Sequence, residues 1–68
     1  MDASLEKTLE LAGGPAALGK LLGISSQAVS QWRRIPPLQV IPIERALEGR
    51  ITRYEMRPDL YPRDGEAA

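Results

Sequence analysis

The chain has 68 residues, with nine basic side chains against nine acidic ones and neither cysteine nor histidine. A chain this short forms one domain and buries only about 60% of its unfolded surface, so its core is small. Lack of cysteine excludes a disulfide framework, a thiol nucleophile and a thiolate metal site, and lack of histidine removes the commonest general base and metal ligand, so neither an enzyme nor a bound cofactor is expected.

Strand signals are sparse and helix punctuation is dense, which predicts an all-α chain. Leu5, Leu9 and Ala12 recur at helical spacing, Asp2 or Ser4 can cap the start, and Gly13-Gly14 ends the segment, giving a first helix over 3–12. Thr8 and Lys7 read as plain surface. Pro15 suits a first helical position and Gly23 stops the run that follows, so the second helix is 15–22. Gly19 is a costly interior residue in it.

Ser25 is a favoured cap for a third helix over 26–34, with Val29 and Trp32 three apart on its apolar side. Its opposite face carries Ser26, Gln27, Ser30, Gln31 and Arg34. The pre-proline residue Ile35 avoids helical backbone and closes it. Beyond it, Pro42 either opens a fourth helix or kinks one begun near Pro37. An irregular turn over 38–41 and a helix over 42–48 are the preferred assignment. Thr52-Arg53-Tyr54-Glu55 fits a capping box and predicts one more helical turn before Pro58, with an edge strand over 50–56 as the alternative. The ordered domain is expected over 1–61 and a disordered tail over 62–68. The apolar runs are too short for a membrane span or signal core, so a cytoplasmic protein is expected.

Two short helices joined by Gly23-Ile24-Ser25 are the informative feature. A DNA-binding helix-turn-helix needs a tight glycine turn between crossing helices, and Leu18, Leu22, Val29 and Trp32 would form the wedge between them. Gly19 sits where the two helices approach most closely. Small helical bundles with no DNA role also contain such hairpins. The charge pattern bears on the choice: no acidic residue lies between Glu10 and Glu44, a stretch containing Lys20, Arg33 and Arg34. Zero net charge thus averages a cationic middle with acidic ends.

The run from Ala17 to Trp32, A-L-G-K-L-L-G-I-S-S-Q-A-V-S-Q-W, resembles the helix-turn-helix of Cro-type phage repressors. The later Ile43-Glu44-Arg45-Ala46 and Arg57-Pro58-Asp59-Leu60 resemble the YdaS-like subgroup, described as antitoxins or Cro-like regulators and often carried on prophages. Gly19 departs mildly from the alanine usual at that place, and Pro42 falls where relatives have helix interior. The resemblance implies a small four- to five-helix lambda-repressor-like fold, double-stranded DNA as ligand and a homodimer on a pseudo-palindromic operator.

In that setting Ser26, Gln27, Ser30 and Gln31 are the candidates for base readout. Gln27 leads them, because its amide can pair with adenine N7 and N6 together. Gly14, Ala16, Lys20, Ser25, Arg33 and Arg34 are candidates for phosphate or mixed contacts, the first two through backbone amides at a helix start. Trp32 is assigned to the core rather than to base stacking. Tyr54, Met56, Leu60 and Tyr61 are candidates for a dimer or partner surface. An antitoxin binding a toxin protein through residues 53–61 is the competing function.

Overall fold

A computed structural model describes residues 2–61; the tail expected over 62–68 lies outside them. Among the described residues there are five α-helices, one 3-10 turn over Pro37–Gln39 and no strand. The first two helices have the expected bounds: α1 is Ala3–Ala12 and α2 is Pro15–Leu22. Asp2 caps α1, its Oδ1 accepting from the amides of Ser4 at 2.9 Å and Leu5 at 3.3 Å. Thr8 is not the surface residue expected. It is fully buried, and its hydroxyl donates to the Ser4 carbonyl at 2.8 Å, which satisfies the only polar atom it takes inside.

Helix α3, Ser26–Ser30, is shorter than the predicted 26–34. Gln31 still donates to the carbonyls of Gln27 and Ala28, and Trp32 to that of Val29, a tightening characteristic of a last turn. The chain then leaves the helix because Ile35 is both pre-proline and fully buried. Carbonyls that further helix would point along its axis are engaged elsewhere: Arg33 O accepts from the Asp2 amide and Ile35 O from Arg57.

The fourth helix also differs from the preferred assignment. The 3-10 turn runs directly into α4, Val40–Ala46, where a loose turn followed by a helix over 42–48 was expected. Pro42 is thus the third helical residue. Its missing N–H falls in the first turn, where no intrahelical acceptor exists, so the proline interrupts nothing. At the other end Glu48 is not helical but left-handed, at φ 53°. Helix α5, Arg53–Met56, settles the choice between helix and strand: the Thr52 hydroxyl accepts from the Glu55 amide at 3.3 Å, as a capping residue does.

The core takes one or two side chains from each α-helix. Leu5, Leu18, Val29, Val40, Ile43 and Met56 come from the helices, and Ile35, Leu47 and Ile51 from the connections. Leu22, Ile24 and Trp32 pack against this cluster while partly exposed, so Trp32 is a packing residue. Ion pairs fasten the periphery. Glu44 accepts from the Arg53 amide at 2.8 Å and from its guanidinium at 3.1 and 2.7 Å, joining α4 to α5. Lys7 meets Glu55 at 2.6 Å, joining α1 to α5.

Candidate nucleic-acid interface

Helices α2 and α3 pack against each other more extensively than any other pair. Gly23 ends α2 at φ 74°, a conformation that a Cβ would strain, and its amide donates to Gly19 O. The Ile24 amide donates to the same carbonyl at 2.9 Å, drawing the turn onto the helix. There Gly19 has its reason: a Cβ on it would stand 2.6 Å from the Ile24 carbonyl oxygen and 3.2 Å from the Ser25 carbonyl carbon. The close approach predicted for Gly19 is therefore to the turn and the start of α3. It is tighter than the mild departure from alanine suggested.

Ser25 opens α3, its hydroxyl accepting from the Ala28 amide at 3.1 Å. Val29 points inward and is buried, while Ser26, Gln27, Ser30 and Gln31 are all exposed. The four residues expected to read bases are thus all exposed along α3, with Gln31 at its capping position. Ser25, Ala16 and Lys20 are exposed and Gly14 half-buried. The first intrahelical bond of α2 runs from Leu18 N to Gly14 O, so the Ala16 amide precedes the bonded turns.

Arg33 and Arg34 are exposed but lie beyond the end of α3, on the segment leading to Ile35. Among the described residues Lys20 and Arg33 form no ion pair, whereas Arg34 Nη2 lies 3.6 Å from Asp59 Oδ2. Asp59 in turn accepts from Arg57 at 3.0 and 2.8 Å. That pairing holds the Asp59 carboxyl down at about 2. The Glu44 carboxyl is lowered by its hydrogen bonds from Arg53, and Asp2 by that from Ser4. An open cleft of about 470 Å³ beside these groups is lined by Asp2, Ser4, Lys7, Arg34, Glu55 and Asp59 among others, with Lys7 near Glu55 and Arg34 near Asp59 inside it.

The late apolar residues divide. Met56 was expected with the partner surface, yet it is a core residue, 2% exposed, because the single turn of α5 aims it inward. Tyr54 and Leu60 are exposed, and Tyr61 is half-buried beneath the Arg53 guanidinium, 5.9 Å from its ring centre. Sequence reasoning did not single out Arg57 or Asp59 as anything but parts of a family pattern. It gave Arg45 no role beyond the same pattern and passed over Arg50; both are exposed cations with no ion pair among the described residues. No described helix is long and apolar enough to cross a membrane.

Comparison with known proteins places this arrangement. Residues 5–64 match the model of a family described as "Bacterial toxin YdaS". A protein of Escherichia coli (strain K12), "Putative transcriptional regulator YdaS", is 36% identical over 61 residues, covering 84% of this chain. This chain spans only 62% of that relative's length. Among solved structures, "the Cro protein from putative prophage element Xfaso 1 in Xylella fastidiosa strain Ann-1" superposes at a TM-score of 0.82 with 31% identity. The superposition covers 91% of this chain and all of that one.

Proposed function

Because the chain belongs to the YdaS family, we propose that it is a DNA-binding transcriptional regulator of Cro-like type, a binding protein and not an enzyme. The carrying observation is the exposed polar surface of α3 and its cap, where Ser26, Gln27, Ser30 and Gln31 all stand exposed while Val29 is buried. Polar, uncharged side chains on a capped helix start, two of them glutamines with forked amides, are suited to base edges in a major groove. The name of the E. coli relative and the likeness to a Cro protein support the same reading.

In this reading Gln27 makes the leading base contact. Lys20, Arg33, Arg34, Ser25 and the amides near Gly14 and Ala16 hold phosphates, which orient the protein without reading sequence. A homodimer would set two copies of α3 in successive major grooves about 34 Å apart on a pseudo-palindromic operator. Its place of action is the cytoplasm of a bacterium, on phage or prophage DNA.

The family's description favours a second reading, in which the region 53–61 binds a protein of a toxin–antitoxin pair. The family name says toxin where the resemblance suggested antitoxin. Tyr54 and Leu60 supply exposed apolar surface for such a partner. A gel-shift of the full chain against the duplex upstream of its own reading frame, over a salt series, separates the two. Binding that weakens with salt supports the regulator; no binding at about 50 mM salt, where phosphate contacts are strongest, overturns it.

A further inference from the structure

Three consecutive residues after α3 are each held from a distant part of the chain. The Asp2 amide donates to the Arg33 carbonyl at 3.4 Å, and Arg57 Nη1 to the Ile35 carbonyl at 3.0 Å. Between them, the Arg34 guanidinium stands 3.6 Å from Asp59. Arg57 is 8% exposed, so packing and three hydrogen bonds fix its side chain. Arg57 in turn fixes both carboxylate oxygens of Asp59.

The distances distinguish guidance from neutralisation. The Asp59 oxygens accept from Arg57, and 3.6 Å is beyond hydrogen-bond reach, so Arg34 is drawn by charge without giving up a donor. Among the described residues no acceptor takes an Arg34 N–H. All five donors of the guanidinium that Asp59 attracts remain for a phosphate. Confining a long side chain in advance removes part of the ordering cost of binding, roughly a 2- to 10-fold gain in affinity.

Resting on the reading of the chain as a DNA-binding regulator, we infer that Arg57 and Asp59 are positioning residues that present Arg34 to a DNA phosphate. Arg57 takes its bearing from the Ile35 carbonyl, Asp59 from Arg57, and Arg34 from Asp59. The sign of one substitution is diagnostic. Removing a negative charge near DNA would by itself tighten binding, whereas losing the guide weakens it.

The test titrates the full chain onto the duplex upstream of its own reading frame, with Arg34→Ala, Asp59→Asn, Asp59→Glu and the Arg34→Ala/Asp59→Asn pair. Asp59→Asn is expected to weaken binding about 2- to 10-fold and to add nothing once Arg34 is alanine. Asp59→Glu restores part of the loss. Arg34→Ala lowers the slope of log affinity against log salt by about one. Tighter binding by Asp59→Asn, or an equal loss with Arg34 absent, overturns the inference. A fold-independent check uses ¹⁵N relaxation of the free wild-type chain: an Arg34 Nε–H more ordered than that of Arg33 supports the relay, and equal mobility overturns it. Arg34→Ala without effect on a wild type that does bind overturns this role alone. A wild type that binds no duplex overturns the regulator reading together with it.

Discussion

Replacing Gly19 by alanine is the sharpest probe of the α2–α3 junction. Ordinary contact begins at 3.4 Å, and the new Cβ would meet the Ile24 carbonyl oxygen at 2.6 Å, so the turn must retreat by about 0.8 Å. The obstacle is backbone, not the end of a flexible side chain. The same turn is tied to Gly19 O by the Ile24 amide at 2.9 Å, so retreat strains that bond as well. Overpacking of this kind costs about 1–3 kcal/mol. The better helix propensity of alanine returns up to about 1 kcal/mol. With both quantities near mid-range the net is a loss of about 1–2 kcal/mol, which in a domain of this size lowers Tm by roughly 4–16 °C. Urea denaturation and thermal melts followed by circular dichroism measure it. A Gly19→Ala chain as stable as wild type, or more so, would refute the close approach. Gly23→Ala is the companion: no atom lies within 4 Å of its Cβ position, so its cost of about 1 kcal/mol is conformational alone.

Further outcomes are expected. Ser25→Ala removes the acceptor for the Ala28 amide and should cost about 1 kcal/mol in the same melts; no change would mean that the cap is idle. Glu48→Gly relieves a left-handed non-glycine residue at φ 53° and should raise stability by roughly 0.5–1 kcal/mol, with a lower Tm counting against strain there. Asp59, Glu44 and Asp2 all have folded-state values below their usual ones, Asp59 at about 2 against 3.8. Such carboxyls add stability above their unfolded values and lose it as pH falls toward the folded ones. Stability should therefore hold from neutral pH down to about pH 5 and decline from there toward pH 2, a window that melts across pH would test; a loss on the alkaline side of neutrality alone would contradict it. Gln27→Ala should relax preference at one base pair at a cost of about 1–3 kcal/mol, while Arg33→Ala weakens all sequences alike. Unchanged base preference in a binding-site selection would remove Gln27 from the readout set.

What was legible in the sequence follows from how far each signal reaches. Helices α1 and α2 end at their own glycines, and α3 and α5 start at their own hydroxyl caps, so local chemistry locates them. The end of α3 was not legible, because Gln31 to Arg34 carry no local stop. Burial of Ile35 and bonds from Asp2 and Arg57 draw that segment off the helix, and those partners are distant in sequence. Pro42 misled for another reason: proline marks a helix start over a whole first turn, and here it occupies the third position. Met56 was misplaced because one turn of helix is too short to show a period. The polar residues of α3 are local to one stretch of sequence, whereas the link from Arg57 through Asp59 to Arg34 exists only in the folded chain.

The fastening of the segment after α3 by Arg57 also sets an order of assembly. Pairing of α1, α2 and α3 joins neighbours in sequence and can form on a nascent chain as soon as they emerge. The bond from Arg57 to Ile35 spans 22 residues and that from Lys7 to Glu55 spans 48, so neither forms until residues well downstream of α3 have emerged. A chain halted on the ribosome before Arg57 emerged would carry α2 and α3 with the segment after them still unfastened.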